Sequence, residues 1–150
     1  MANLQKFKDQ FLLLCEAGFI AVNQADEDAA VKLFRASALL NPKNSLPKIG
    51  MGYLHMMRLE LKQACKLFDE VLAEEPHNEM AKAFLGISYS LTSTEMSKGE
   101  KMLEQTAKKA EDPMIKKLSQ TALDFVEKFV KKSPSPVELQ KSTPKPKKKK

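Results

Sequence analysis

Three glycines recur at equal intervals in this chain, at Gly18, Gly52 and Gly86, which gives a period of 34. A second pattern has the same period: the stretch AVKLFRASALLNP ends at Pro42, and its near copy ACKLFDEVLAEEP ends at Pro76. A fixed period of this length is typical of repeat proteins, in which each unit buries its apolar face against its neighbours. We therefore expect an array of similar units along the chain.

Each unit is expected to be helical. Ala, Leu, Lys, Glu, Met and Gln dominate the sequence, and β-branched residues are scattered, a composition that favours helices. Apolar spacing, with Gly and Pro as breakers, divides the chain into seven predicted helices. They are 3–24, 27–40, 45–59, 61–74, 78–92, 96–110 and 114–131.

The last predicted helix has its own start signal, with Asp112 as N-cap and Pro113 in the first turn. Its apolar residues recur at spacings of three and four, which predicts one buried stripe. The stripe consists of Ile115, Leu118, Ala122, Phe125 and Phe129. We expect this helix to cap the open end of the array, and binding of a partner is the alternative use.

The order Gly, Ala, Phe, Pro within a period of 34 resembles the tetratricopeptide-repeat (TPR) family. The matching residues of the first two units are Gly18, Ala30, Phe34, Pro42, Gly52, Ala64, Phe68 and Pro76. The third unit has Leu85, Gly86 and Tyr89, and then Gly99, Leu103 and Pro113, which fit only if TSTEMSKGE is irregular. The resemblance covers about residues 11 to 113. It implies an all-α fold, an α-α superhelix of about three TPR helix hairpins plus a C-terminal capping helix.

The charge is concentrated at the C-terminal end. Residues 133–150 hold six of the 25 basic residues, one of the 19 acidic residues and four prolines. The rest of the chain, with 19 basic and 18 acidic residues, is near neutral, which argues against a broad nucleic-acid-binding face. We expect a TPR domain at 1–132 and a disordered Pro/Lys-rich tail at 133–150. The tail either binds an acidic partner, RNA or an anionic membrane, or only improves solubility.

Reactive residues are few. Cys15 and Cys65 belong to no metal-ligand pattern and are too few for a disulfide framework. His55 and His77 have no carboxylate or Cys in register, and GMGYLH lacks the third Gly of a dinucleotide loop. We therefore expect no enzyme activity, cofactor, metal or small-molecule substrate. Without a cleaved signal or an 18-residue apolar span, a cytoplasmic protein is expected.

In TPR proteins the first helix of each hairpin lines a concave groove. The resemblance therefore implies a set of groove residues, nearly all apolar, that would bind protein. They are Leu12, Cys15, Phe19, Val22, Leu46, Ile49, Tyr53, Met56, Met57, Met80, Ala83, Ile87 and Leu91. The alternative is that these residues are core, partly covered by an N-terminal helix that carries Leu4, Phe7 and Phe11.

Some TPR co-chaperones hold a carboxylate with Lys, Asn and Arg in this groove. Here the corresponding positions are Cys15, Phe19, Gly50, Met80 and Phe84, so no carboxylate clamp is expected. An apolar groove suits an amphipathic helix or an apolar extended segment, and methionines adapt to varied shapes.

A three-repeat protein with an apolar groove resembles the chaperones of bacterial type III secretion systems, of the needle-subunit or translocator class. That resemblance implies a client with an apolar or amphipathic helix and a possible small co-chaperone subunit. The alternatives are a general TPR scaffold or adaptor, and a nucleic-acid- or membrane-associated protein that acts through the Lys tail.

Overall fold

The computed structural model describes residue 7 and residues 9–132. These residues form helices and turns and no strand, which confirms the predicted all-α class. The helices are α1 (Gln10–Asn23), α2 (Glu27–Leu40), α3 (Leu46–Met57), α4 (Leu61–Glu74), α5 (Glu79–Ser90), α6 (Met96–Lys109) and α7 (Pro113–Phe125), and α7 continues as a π-helical turn, Val126–Val130. The predicted tail, 133–150, lies outside the described residues.

Helices α2 and α4 have the predicted bounds, and the others differ mainly at their ends. The largest difference is at α1, which begins at Gln10 and not at residue 3. Phe7 precedes the helix and is exposed, whereas Phe11 is buried. Among the described residues, burial against the hairpin therefore starts with Phe11. Of the residues predicted to extend this helix, 3–6 and 8 lie outside the described part.

The helices pair into three hairpins, α1 with α2, α3 with α4 and α5 with α6, and α7 packs on the last pair. Successive first helices also touch: α1 contacts α3, α3 contacts α5, and α5 contacts α7. The second helices contact the first helix of the next hairpin and make few or no contacts with one another. Because the first-helix layer is the more tightly packed, it forms the inner side of the stack.

The first two hairpins turn through the same backbone motif. Ala25 and Leu59 occupy equivalent positions in the two units, and both have φ 59°. After α3 the N–H of Leu59 donates to the carbonyl of Met56 at 3.0 Å, and the N–H of Glu60 donates to that of His55 at 2.9 Å. These are the two hydrogen bonds of a Schellman motif, whose left-handed residue is usually glycine.

The third hairpin departs from this pattern. Residues 91–95 separate α5 from α6, whereas only residues 24–26 and 58–60 separate the helices of the first two hairpins. The first part of the predicted irregular stretch therefore lies outside a helix, and its second part, from Met96, belongs to α6. As a result Gly99 and Leu103 lie one position further along than the period predicts from Ala64 and Phe68.

Aromatic rings from the second helices fill the space left by glycines of the first helices. A Cβ built on Gly18 would lie 2.6 Å from Cε1 of Phe34, and one on Gly50 would also collide with that ring. Gly52 bears the same relation to Phe68, at 2.5 Å. Phe34 and Phe68 are almost completely buried, so the rings cannot move aside.

The turns between hairpins also repeat. Asn44, Asn78 and Asp112 recur with the period of the glycines, and each accepts a hydrogen bond from a backbone N–H in the first turn of the following helix. Asp112 and Pro113 thus take the predicted roles of N-cap and first helical residue. Pro113 is not the repeat proline, because Glu111 follows the C-cap of α6 where Pro42 and Pro76 follow those of α2 and α4.

The predicted apolar stripe of α7 is only partly correct. Ile115 is buried, as expected, but Phe125 and Phe129 are 50% and 61% exposed, with ring centroids 5.2 Å apart. Val126 and Ser119 are buried in their place. Phe125 lies three residues after Ala122 and Val126 lies four residues after it, so either could continue the stripe along the helix. Tertiary packing buries Val126. The buried hydroxyl of Ser119 has no hydrogen-bond partner among the described residues.

Replacing Leu59 with glycine is expected to stabilise the protein. Leu59 is 70% exposed, so little packing is lost. Relief of the left-handed conformation, about 1–2 kcal/mol, exceeds the entropy that glycine loses on folding, about 0.5–1 kcal/mol. Urea unfolding followed by circular dichroism should show Leu59→Gly to be more stable by about 0.5–1 kcal/mol.

The matched control is Leu39→Gly, because Leu39 is a 73% exposed leucine inside α2. Glycine at that helical position should destabilise by about 1 kcal/mol. If both substitutions destabilise the protein, the assignment of strain to Leu59 is wrong.

Gly50→Ala is expected to destabilise, because the added methyl group meets the buried ring of Phe34. Gly86→Ala is the control, since its Cβ would lie 3.0 Å from Leu103, a looser contact than the one between Gly50 and Phe34. Both changes gain the same helix propensity, so the difference between them measures the collision, about 1–3 kcal/mol. Adding Phe34→Leu should remove much of the effect of Gly50→Ala, and purely additive effects would contradict the packing account.

Candidate protein-binding surface

Eight of the thirteen predicted groove residues are accessible on the first helices. We call them the inner apolar surface. Leu12 and Met57 are exposed, and the others are half-buried. The complete set is Leu12, Phe19, Leu46, Tyr53, Met57, Met80, Ile87 and Leu91.

The other five predicted residues are core, and for them the expected groove position is wrong. They are Cys15, Val22, Ile49, Met56 and Ala83. Within α1 and α3 the buried residues stand seven apart, at Cys15 and Val22 and at Ile49 and Met56, so they share one helix face. That face packs inside the stack, where Cys15 is completely buried.

The inner apolar surface rests on a chain of aromatic rings. The centroid of Phe19 lies 5.5 Å from that of Tyr53 and 5.3 Å from that of Phe34. Tyr53 stacks on Phe84 at 5.1 Å, and Phe84 lies 5.7 Å from Phe68. Aromatic pairs at these separations attract one another beyond their simple burial. The accessible rings of α1 and α3 are thus held by the same side chains that fill the hairpin cores.

One polar contact orients the central ring. The hydroxyl of Tyr53 donates to Oδ1 of Asn23 at 2.7 Å, which ties α3 to the end of α1. Burial raises the pKa of Tyr53 above its ordinary value, so the hydroxyl keeps its proton. Tyr53 therefore presents a fixed ring at the centre of the surface.

None of the eight residues of the inner apolar surface is charged, and Lys48 of α3 pairs with Glu70 of α4 at 3.6 Å. Two further apolar residues extend the surface along α7. Met114 is exposed in the first turn, and Phe125 is exposed near the end of the helix. When α7 is aligned with α5 through their N-caps, Asp112 and Asn78, Met114 corresponds to Met80 and Phe125 corresponds to Leu91.

The sequence contained the signal for these two residues. The caps recur with the period of the glycines, so α7 could have been identified as the first helix of a further unit. Its interpretation as a closing helix instead placed Phe125 on the buried side.

A second surface lies on the outer side, between α4 and the turn before α6. It is a recess of about 1150 Å³, which we call the outer recess. Its apolar lining residues are Leu59, Leu61, Cys65, Ala73 and Tyr89. Its charged lining residues are Glu60, Lys62, Lys66, Asp69, Glu70 and Glu95.

The ion-pair bridge that joins α2 to α4 is not repeated at the outer recess. In the groove between α2 and α4, Arg58 pairs with Glu27 of α2 and, at 2.9 Å, with Glu60 at the start of α4. Arg58 therefore bridges these two second helices. The residue one period later is Thr92, which is too short to make such a bridge. The groove between α4 and α6 therefore remains unbridged there.

The two cysteines and His55 lie in environments that favour structural roles. Burial raises the pKa of both the Cys15 and the Cys65 thiol, so thiolate chemistry is disfavoured. Nδ1 of His55 lies 2.5 Å from Oε2 of Glu60, in the same ion-pair network as Arg58. Across the described part of the chain, no cluster of His, Cys, Asp and Glu is arranged to bind a metal ion.

Comparison with protein-family models, with curated proteins and with solved structures gives no match to this chain. Among the described residues, no helix combines the length and the apolar content needed to cross a bilayer. The fold and its inner surface together define a helical-hairpin repeat protein with an apolar face.

Proposed function

We propose that this is a TPR protein that binds an apolar or amphipathic helix of a client on its inner apolar surface. The observation that carries the proposal is the uncharged set of side chains anchored on the rings of Phe19, Tyr53 and Phe84. A client helix that covers this surface removes apolar area from water, at about 25 cal/mol for each Å². Single exposed apolar residues are ordinary, but contiguous ones are typical of interaction sites.

The dimensions of the surface fit a client helix of moderate length. Packed helices lie about 8–10 Å apart, so the row from α1 to α7 spans about 25–30 Å. A helix rises 1.5 Å per residue, so about 16–20 residues cross the row. One apolar stripe on such a helix would meet the inner apolar surface, and its polar face would remain in water.

The resemblance to type III secretion chaperones gives this activity a context. We propose that the client is a needle subunit or a translocator, held in the cytoplasm before export so that its apolar helix cannot assemble too early. The alternative is a general TPR scaffold or adaptor, which would use the same surface for a different partner. Neither role requires an enzyme activity, a cofactor or a small-molecule substrate.

A small helical co-chaperone is the second partner that we propose, and the outer face of α1 supports it. Pro47, Gly50 and Leu54 of α3 are buried towards the preceding hairpin. The residues one period before them are Leu13, Glu16 and Ile20. In α1, Leu13 and Ile20 are 63% and 55% exposed, and no described helix packs on this face. A helical subunit would cover it as the preceding hairpin covers α3.

The client site is tested by co-expression with a candidate needle subunit or translocator and isolation of the complex. Tyr53→Asp and Ile87→Asp should each abolish capture, because they put a charge into the buried contact. Leu39→Asp, at an exposed leucine of α2, is the matched control and should leave capture intact. A complex that survives both inner-surface substitutions rules out this surface as the client site.

The salt dependence of the same complex separates the alternatives. Contacts made by apolar burial should change little between about 50 and 200 mM salt, whereas nucleic-acid or membrane contacts of the Lys tail should weaken steeply.

The second-subunit site is tested by Ile20→Asp. The complex isolated from the source cell should lose its small subunit on gel filtration and retain the client, with Leu39→Asp again as control. Retention of the small subunit, or conversion of a homodimer of this chain into a monomer, would contradict this assignment.

A further inference from the structure

One side of α1 combines two exposed apolar residues with a single charge. Leu13 and Ile20 are more than half exposed, and Glu16 lies between them on the same helix face, at spacings of three and four. We call these three residues the α1 outer stripe. Glu16 is exposed and is the one charged residue of α1. Among the described residues it forms no ion pair, so its carboxylate is available to a partner.

The corresponding positions of the other first helices carry no charge. They are Pro47, Gly50 and Leu54 in α3, Ala81, Phe84 and Ser88 in α5, and Ile115, Leu118 and Ala122 in α7. All nine are buried or half-buried. The residue that corresponds to Glu16 in α3 is Gly50, which lies next to the ring of Phe34 from the preceding hairpin. An element that covers the α1 outer stripe meets a carboxylate there and not a glycine.

This carboxylate limits the chemistry of the element that covers α1. Contact with Leu13 and Ile20 also removes Glu16 from water, and a buried carboxylate without a partner is strongly unfavourable. A lysine or arginine would satisfy it with charge-assisted hydrogen bonds. Because neighbours on a helix surface stand three or four residues apart, a matching helix has a basic residue with an apolar residue three or four positions away on each side.

A second copy of this chain does not match the α1 outer stripe in either of two arrangements. If two α1 helices pack together through the stripe, Glu16 of one copy meets Glu16 of the other, because it lies in the middle of the stripe. If copies stack head to tail, the stripe meets the open side of α7, which is exposed and polar. The residues of that side are Lys117, Gln120 and Asp124, one period after Ala83, Gly86 and Ser90. A different protein is therefore favoured.

We propose that the helical subunit that covers α1 places a lysine or arginine against Glu16 and apolar residues against Leu13 and Ile20. The charge of Glu16 thereby selects this subunit and disfavours pairing of the chain with itself. The proposal rests on the second-subunit part of the proposed function and specifies the chemistry that this subunit has.

The full-length chain supplies a defined probe for this chemistry. Glu16→Lys gives the α1 outer stripe a lysine between Leu13 and Ile20. In sedimentation equilibrium with one chain fluorescently labelled, a mixture of the parent chain and this variant should form a heterodimer. It should bind at least about tenfold more tightly than either chain binds itself, because opposite charges then meet. Adding Ile20→Asp to the variant should abolish the heterodimer.

The matched control for the probe is Glu104→Lys. Glu104 is exposed on α6 and forms no ion pair among the described residues, so this variant has the same net charge as the probe. It should not bind the parent chain more tightly than the parent chain binds itself.

The complex isolated from the source cell provides the second arm. Glu16→Lys should release the small subunit at least about tenfold more readily than Glu104→Lys does, because like charges then face each other. Exchanging one lysine or arginine of the small subunit for glutamate should restore its binding to the Glu16→Lys chain. Such a restoration identifies the basic residue that faces Glu16.

Three results would overturn the proposal. The first is a mixture of the parent chain and the Glu16→Lys variant that binds no more tightly than the parent chain alone. The second is equal binding by the Glu104→Lys control, which would assign the effect to net charge. The third is release of the small subunit by Ile20→Asp but not by Glu16→Lys, which would leave the second-subunit site in place without the charge contact. Retention of the small subunit by both variants would remove the site itself.

Discussion

The packing of Phe34 and Phe68 against glycines is the constraint on which the rest of the structure depends. A glycine in the first helix lets the ring of the second helix reach the backbone, and a Cβ there would collide with it. The close approach fixes how the two helices of a hairpin cross. Because Gly50 also touches Phe34, the same ring sets the position of the next hairpin. Local packing inside one unit thereby determines how the units stack.

Contacts between aromatic rings connect this core packing to the inner apolar surface. Phe34 and Phe68 are core residues. Phe34 contacts the accessible ring of Phe19, and Phe68 contacts Phe84, which stacks on the accessible ring of Tyr53. The site proposed for the client is therefore part of the packed interior and needs little ordering when a partner binds, which favours affinity. The outer recess lies on the other side of the stack, where the ion-pair bridge between second helices is not repeated.

Much of the fold could be predicted because its signals are local. Glycines and prolines at a period of 34 identify the hairpins, and α2 and α4 begin and end at the predicted residues. The site was predicted less well. Phe19 and Tyr53 are accessible as expected, but Cys15 and Ile49, on the neighbouring stripe of the same helices, are buried. Two adjacent apolar stripes look alike in a sequence, and packing decides which one remains accessible.

By itself the sequence determined the repeat, the order of the helices and the uncharged character of the eight residues of the inner apolar surface, because each depends on residue type and spacing alone. Tertiary structure decided three further features. It selected Val126 over Phe125 for the buried side of α7, left the side chain of Ile20 on α1 exposed, and formed the recess beside Thr92. These outcomes depend on which neighbour a side chain meets, and spacing along one helix does not contain that information.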